Sequence, residues 1–499
     1  MNESNKLTLG ERIYNGITSL VGGTLGLVSP GAALQYSVGR NAFLSYKAGS
    51  RRGANGKWNP RRGSADSMIR KDRTLVVARS RDLVRNSQYV SGALRKVCNN
   101  VVFKGIFPQA GIKKTDGTLD HDKNNSIEKL FKDWAKIVLF PEMQNLVLRH
   151  MWMDGEILVH FFIDLDLLEM GVVPLGVELI ETDQLDTMVD GELSGGNYAR
   201  RGIEYSRSGR PVAYHILPVH PGDGLVYRGA TKRVPASDIL HIFEKERASQ
   251  SRGMPWLTTI VMAMHDFEDY QDSERIAARL MASFAYFIQR SGPSNPTENA
   301  FPGSVAANGQ ELPKYLSGPG QILEIPPNTE VNAQQYKRDG NAHESFSKTS
   351  LKGASVGAGV SYESFSNDYT DASYSSSRSA TLEERRGYQV SQEYENTRFN
   401  TPVSEKFSFV AHLAGFLKND TPLNIPVTWQ TPGWTWVDPV KDSKASVIEV
   451  NELGITSRRE LCAKQGKDYD EVTDQLEREN NDLINRGLLE DKNAETKKG

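Results

Sequence analysis

The chain holds 499 residues, too many for one ordinary core of about 100 to 200 residues, so several packed units are expected. With 38% hydrophobic and 24% charged residues it reads as a soluble folded chain, which excludes a membrane bundle and a small binding module. Sixty Lys+Arg against 62 Asp+Glu give a net charge of −2 and no global attraction for a polyanion, and the two distant cysteines, Cys98 and Cys462, signal neither a disulfide framework nor a zinc site and fit a reducing cytoplasm.

Residues 13–39 carry no charge, but Glu3, Glu11, the glycines and Pro30 make a poor secretory signal and a poor spanning helix, so a flexible small-residue arm is expected. From Arg40 to Arg85 there are thirteen Lys/Arg and three Asp. The run includes Arg51, Arg52, Arg61, Arg62, Arg70, Lys71 and Arg73, and reads as a basic arm that is solvated, pairs with an acidic surface or contacts phosphates. Apolar spacing predicts a helix pair over Thr74–Val102, broken at Asn86-Ser87. Strands are predicted at Glu156–Ile163, Val177–Ile180 and Val212–Ile216, the last closing a hairpin that turns at Ser208-Gly209.

Leu257, Ile260, Val261, Met264 and Phe267, then Ile276, Leu280, Phe284 and Phe287, predict one helix from Pro255 to Gln289, about 50 Å long. Residues 291–340 hold seven prolines and one strand-like run, Gln321–Ile325, which suits a small protruding unit or mobile loop. A helical segment at Ala342–Leu351 precedes a glycine cluster. Residues 361–377 contain seven Ser, three Tyr, three acids and no Lys or Arg, a loop composition that reads as a polar, non-basic tongue. Beyond it a charged helix is expected over Thr381–Asn400, interrupted by Pro402 and resumed over Val403–Leu417. Near the end, one helix stops at Gly454, and a capping box at Ser457-Arg-Arg-Glu460 starts a short helix stopped by Gly466. Residues 436–499 carry eleven Lys/Arg against fifteen Asp/Glu, an acidic end that balances the basic beginning.

Chemical motifs are sparse. Gly353-Ala-Ser-Val-Gly357 is a literal G-x-S-x-G, followed by Asp368 and His412 in the order of a serine hydrolase, but the polar segment before it lacks the buried strand of a nucleophile elbow. The nine histidines form no HExxH or HxH, and no phosphate-binding glycine motif occurs, so neither a metal site nor a nucleotide site has a residue-level basis. Asp164 with Asp166, and Glu383 with Glu384, read as solvated acids rather than an acid/base pair.

Several segments taken in order resemble the lambda-type portal proteins of tailed bacteriophages. They are Pro30-Gly-Ala-Ala33 with Arg40-Asn-Ala-Phe43 and Tyr46, Ser64-Ala-Asp66, Arg79-Ser-Arg-Asp-Leu-Val-Arg-Asn86 with Tyr89, Asn100-Val-Val102, Gly105-Ile-Phe-Pro-Gln109, and Asp154-Gly-Glu156. The order continues through Pro235-Ala-Ser-Asp-Ile-Leu-His-Ile-Phe243, Gln250-Ser-Arg-Gly-Met-Pro255, Gly359-Val-Ser-Tyr-Glu363, Asp368-Tyr369 and Tyr374-Ser-Ser-Ser-Arg378. Trp436-Val-Asp-Pro439, Gly454-Ile-Thr-Ser457 and Gly466-Lys-Asp468 complete it, and the likeness runs over residues 27–475.

The resemblance implies an α+β, elongated portal-like subunit with a wing, long stem helices, a small clip and a C-terminal helical crown. It divides the chain into a basic N-terminal arm (1–63), wing (64–253), stem helix (254–290), clip (291–340), second stem segment (341–358), tunnel loop (359–378), helical connection (379–435) and crown with acidic tail (436–499). It also implies a homo-oligomeric ring, usually of twelve subunits, at one capsid vertex of the virion, assembled in the host cytoplasm. Double-stranded DNA is pumped through such a ring by a separate terminase ATPase, whose large subunit docks on it, alongside head-completion or connector proteins, major capsid and scaffold proteins. No enzyme activity, cofactor or membrane is expected. A conduit must avoid many simultaneous phosphate neutralisations, each of which adds affinity. The tongue's Tyr362, Glu363, Ser366, Asn367, Asp368, Tyr369 and Asp371 are therefore expected at or near the bore. A serine hydrolase and a simple basic-arm nucleic-acid binder are the competing classes.

Overall fold

The computed structural model describes residues 60, 62–193, 195–223, 231–289, 321–325 and 340–488. The chain divides into Met1–Ser64 and Ala65–Gly499, and all the elements below belong to the second unit. It is an α+β fold.

Helices α1 (Ala65–Asn86) and α2 (Gln88–Val101) form the expected pair, and Ser87 breaks them by capping α2, its side chain accepting from the Val90 N–H. After β1 (Phe107–Ala110) come α3 (His121–Ile137), capped by Asp120, and α4 (Phe140–Met153), with a proline in its first turn. The strands β2 (Glu156–Ile163) and β3 (Leu175–Ile180) flank the short helix α5 (Leu165–Glu169). A small meander follows: β4 (Gly191–Glu192), β5 (Tyr198–Arg200), β6 (Ile203–Tyr205), β7 (Pro211–Ile216) and β8 (Lys232–Pro235), all antiparallel neighbours in that order. Strand β9 (Ile239–Phe243) pairs with β2, giving a second antiparallel sheet ordered β3-β2-β9. Leu158, Ile180, Ile203, Tyr214, Val234 and Ile239 form the apolar cluster shared by the two sheets.

The predicted 255–289 helix is shorter than its periodicity suggests. A tight 3₁₀ turn over Trp256–Thr259 leads into α6 (Val261–Ser283), and the last six residues are β10 (Phe284–Gln289). Strand β10 pairs in parallel with β11 (Gln321–Ile325). Leu257, Ile260, Val261, Met264 and Phe267 are buried, whereas Ile276 is 56% exposed, so the apolar stripe serves the core only in its first half. Apart from β11 and Gly340, the expected protruding unit at 291–340 lies outside the described residues.

Helix α7 (Gly340–Ala358) runs through the glycine cluster instead of stopping before it, and Gly357 lies where a Cβ would meet Ile260. Next come α8 (Tyr362–Ser366) and α9 (Tyr374–Glu395), and α9 continues through a wide π-turn (Asn396–Asn400) into α10 (Thr401–Leu413). Pro402 was expected to interrupt this helix and does not. The π-turn lets the Thr401 N–H reach back to the Asn396 carbonyl, and the altered register accommodates a residue with no N–H to give. A buried amide chain stabilises the turn: Asn400 donates to Asn396 (2.9 Å), Gln144 donates to Asn400 (2.8 Å), and Gln144 exchanges bonds with the backbone of Ile106 (3.0 and 2.9 Å).

Two larger cores lie on either side of α4. Phe131, Trp134, Phe140, Phe399 and Phe407 form an aromatic cluster from α3, α4, the π-turn and α10, with neighbouring rings 5.0 to 5.6 Å apart. Leu94, Val97, Leu148, Leu257, Met264, Leu351, Phe365 and Tyr388 tie α2, α4, α6, α7, α8 and α9 together. Strand β12 (Val427–Gln430) pairs with β1, and α11 (Pro439–Val447), α12 (Arg458–Lys464) and α13 (Tyr469–Asn485) end the described chain with no buried residue. The capping box between Ser457 and Glu460 is present as expected. Among the described residues no helix is long and apolar enough to cross a membrane.

Candidate nucleic-acid interface

The serine-rich tongue is more structured than its composition suggests. Ser361 caps α8 by accepting from the Ser364 N–H (3.1 Å), Asn367 closes it at φ +58°, and Ser373 opens α9 in a reciprocal capping box with Ser376. The irregular part shrinks to residues 367–373 because these serines supply helix ends rather than loop. Phe365 anchors α8, 3% exposed and stacked on Tyr89 at 6.3 Å.

Two charged groups clamp the base. Lys96 on α2 donates to the Ser364 carbonyl and to Asn367 Oδ1 (2.6 Å), and partial burial lowers its pKa. On the other side, Glu384 on α9 accepts from Ser361 and Ser364 (2.8 Å each) and from Tyr388. At the tip, Asp368 accepts from the Thr370 hydroxyl and N–H and from the Tyr362 hydroxyl (2.8 Å), which hold its carboxyl down at about 2. Asp371 and Glu344 both sit 2.9 Å from Lys348 and raise its pKa.

Of the seven expected residues, Tyr362, Glu363, Asp368 and Asp371 line one open groove of about 660 Å³ between α7, α8 and α9. Ser366 is turned inward, its hydroxyl donating to the Tyr362 carbonyl (2.7 Å). Asn367 marks the base and Tyr369 is 57% exposed. Sequence reasoning missed the lysines: the tongue has none of its own, yet Lys96 and Lys348 bond to it, and Lys352 sits 5.3 Å from the Tyr362 ring. Only the i, i+4 spacing of Lys348 and Lys352 on α7 hinted at a shared face. The result is a polar surface in which Asp368 and Asp371 already have donors.

The basic-arm expectation separates into three groups. Arg51, Arg52 and Arg61 lie outside the described residues, while Arg62 and Lys71 are exposed. Arg70 is on α1 and pairs with Asp190 (2.7 Å). Arg73 corrects the expectation: it is 6% exposed and ion-paired with Glu156 (2.8 Å), because the first helix begins at Ala65 and turns this side chain inward. It also donates to the Gly253 and Asp154 carbonyls and to Thr182.

Glu156 is the centre of this buried junction. Its carboxylate also meets Arg252 (2.6 Å), the Gly253 N–H (2.7 Å) and His241 (3.1 Å). Burial pushes the Glu156 carboxyl up, but Arg252, Arg73 and His241 outweigh it and hold it well below its usual 4.5. Burial lowers the His241 pKa despite the Glu156 carboxylate beside its ring. Next to it, Asp154 is bonded by Arg81 and His150 at 2.6 Å each, and Asp66 accepts from the Ser251 N–H (2.7 Å). Gly155, at φ +75°, and Gly253 touch backbone to backbone, where a Cβ on Gly253 would come 2.0 Å from the Gly155 carbonyl oxygen. Asp66, Asp154-Gly-Glu156 and Ser251-Arg-Gly253, which lie within the motifs of the resemblance, thus meet in one lock just before the 3₁₀ turn that leads into α6.

The hydrolase arrangement is not formed. Ser355 is buried inside α7, bonded to the Lys352 carbonyl (2.9 Å), with helix rather than strand before it. Both His412 ring nitrogens engage backbone carbonyls, of Ser408 and Thr421, and Asp368 is held at the loop tip. Asp164 caps α5, and Glu383 pairs with Arg386. Among the described residues, the one convergent His/Asp/Glu set, Glu181, Asp183 and His220, already receives Arg81 at 3.1 and 2.6 Å on its two acids.

Comparison with known proteins agrees with the motif order. The family model described as phage portal protein, lambda family, matches residues 51–392. A probable portal protein of Halomonas phage phiHAP-1 is 27% identical over 438 residues, covering 85% of this chain and 83% of that protein. Portal protein B of Escherichia phage lambda is 22% identical over 484 residues, covering 86% and 88%. Among solved structures, the neck of an empty GTA particle aligns with 80% of this chain and 94% of its own, at 13% identity and a TM-score of 0.40. Since the family model spans more than half of its length, the chain belongs to the lambda family of phage portal proteins.

Proposed function

We propose that copies of this chain close into a ring, twelve in number, at one vertex of the capsid, and that double-stranded DNA enters and leaves through the bore. The observation that carries the reading is the portal family match over residues 51–392, which includes all of α7 and α8 and most of α9. Terminase large subunit supplies the force; the ring also docks head-completion or connector proteins and contacts major capsid and scaffold proteins. The chain performs no chemistry of its own. It is a virion component, assembled in the host cytoplasm.

Residues 361–373 face the bore. Asp368 accepts from Tyr362 and Thr370 and stays ionised, and Asp371 pairs with Lys348, which leaves a surface of hydroxyls, tyrosines and carboxylates. Such a surface makes few phosphate contacts, and the duplex slides because little counterion release holds it. Closing a ring requires two different faces of each subunit to fit each other. The basic N-terminal residues of one copy meet the acidic 436–499 segment of the next.

Negative-stain imaging of the purified protein tests the ring: annular particles with a central hole are expected, and a monodisperse monomer under all conditions rejects it. Asp368→Arg with Asp371→Arg is expected to slow packaging while rings still form; unchanged velocity in a single-molecule assay removes the loop from the bore. Deleting residues 1–60 is expected to weaken ring formation in a salt-sensitive way, and full rings at every salt concentration by native mass spectrometry rejects the charged interface.

A further inference from the structure

The five-stranded meander carries a charge feature that the ring and the tongue do not use. The β6–β7 hairpin ends in Ser206-Arg-Ser-Gly-Arg210, and Arg207 to Arg210 are exposed. The turn is well built: the Ser206 N–H donates to the Arg210 carbonyl (2.8 Å), the Gly209 N–H to the Ser206 carbonyl (2.9 Å), and the Arg210 N–H to Ser206 Oγ (3.2 Å). Arg207 lies across Gly196 of the adjacent β4–β5 connection, where a Cβ would come 2.3 Å from its Nη2. Arg207 and Arg210 have no acidic partner among the described residues, unlike Arg200 with Asp66 and Arg233 with Glu204. Glu204 is spent on Arg233 (2.7 Å) and is buried, so it does not offset the tip.

Beside the tip, Tyr198 and Tyr205 stack at 5.5 Å, and Arg200 covers both rings at 5.2 and 5.9 Å. The rings are therefore occupied by each other and by a guanidinium. Binding an unpaired strand relies on aromatic faces open to bases, whereas phosphates of a duplex need only cations, hydroxyls and a small-residue backbone that permits close approach. The tip offers the second set.

We propose that the β6–β7 hairpin tip, through Arg207 and Arg210 with Ser206 and Ser208, binds the phosphate backbone of duplex DNA at a site separate from the tongue. The portal reading supplies the duplex, and the inference rests on it to that extent. In function, the contact would hold DNA against the subunit surface instead of letting it slide, the opposite of the tongue's task.

The test uses the full chain and covalently closed circular duplex, which has no end to thread through a preformed ring. Wild-type protein is expected to retain the circle with a steep salt dependence. In Arg207→Glu with Arg210→Glu, the slope of log affinity against log salt should fall by about 2 per contacting subunit, which is about a tenfold smaller loss between 50 and 200 mM salt. Arg207→Gln with Arg210→Gln should show the same change in slope and guards against misfolding of the charge-reversed protein. Unchanged affinity and slope in the glutamine variant, or no retention of the circle by wild type, overturns the proposal. Loss of rings in the glutamine variant with circle binding intact also overturns it and assigns the tip to a contact between copies. If wild type forms no rings, the portal reading fails, while circle binding remains readable on the monomer.

Discussion

Among the described residues, Glu156 and Glu395 are both buried to 1% exposure or less and have opposite fates. Glu156 sits at the start of β2 among Arg73, Arg252 and the Gly253 N–H, and its carboxyl is held well below 4.5. Glu395, the last residue of α9, is 1% exposed, its Oε1 has no hydrogen-bond partner among the described residues, and burial alone pushes it well above 4.5. A second buried titratable group lies near Glu395. Cys98 on α2 is a buried thiol pushed up to about 11 by burial, and Arg149 on α4 interacts with that thiol. Burial by itself therefore says nothing about charge; the supply of partners decides it. One region is an ionic lock and the other a buried acid whose carboxyl is pushed up, beside a π-turn.

The contrast can be broken at its strong end first. Glu156→Gln leaves two buried guanidiniums facing a neutral amide, and a loss of about 3–5 kcal/mol in urea unfolding is expected. In the wild type this lock contributes above the ordinary carboxylate pKa of 4.5 and is lost as pH falls through the lower folded value, so the difference between wild type and variant should shrink in acid. A loss below 1 kcal/mol would mean that the surrounding packing, and not the ion set, holds the junction.

Gly253→Ala attacks the same place without touching charge. With the Gly155 carbonyl 2.0 Å from the new Cβ, the two backbones must separate, and a destabilisation of about 1–3 kcal/mol by thermal unfolding is expected.

Glu395→Gln should act with the opposite sign. Its raised pKa means the folded state keeps a proton that the unfolded chain gives up above 4.5, so wild-type stability from this group is full in acid and falls as pH rises. The amide variant should gain on wild type by about 1.4 kcal/mol per pH unit, from the ordinary carboxylate pKa up to the folded one. A difference independent of pH between about 5 and 8 would show that Glu395 is ionised in the fold.

The smallest effect belongs to the tongue. Ser373→Ala removes the cap of α9 and should cost about 1 kcal/mol, read by circular dichroism on heating. No measurable change would mean that the helix start is held by its packing alone.

How far the sequence revealed these regions follows from what each signal can see. Local signals were readable: β2 has the predicted limits, the 203–216 hairpin turns where Gly209 sits, and Ser87, Ser457 and Gly466 punctuate helices as expected. Periodicity misjudged Phe284–Gln289, since aromatic residues three apart fit a helix while the pairing with Gln321–Ile325 is remote in sequence. Composition misjudged the tongue, because serine favours helix caps as strongly as loops. Charge counting misjudged Arg73, whose partner Glu156 lies 83 positions away in an apolar strand. Among the candidate site residues, those of the tongue were visible as a polar cluster, but the lysines and Glu384 that clamp it come from other helices.

The helical rod from Tyr374 through the π-turn to Leu413 has a mechanical consequence. Its 22, 5 and 13 residues make a strut of about 60 Å with the tongue at one end and the aromatic cluster at the other. The wide turn is not slack: the amides of Gln144, Asn396 and Asn400 tie it down, so the two ends of the strut are held in one register. Phe399, inside the turn, and Phe407, beyond it, share one core with Ile157, Val159 and Val177 of the sheet, so a displacement of the strut reaches β2 and β3 directly.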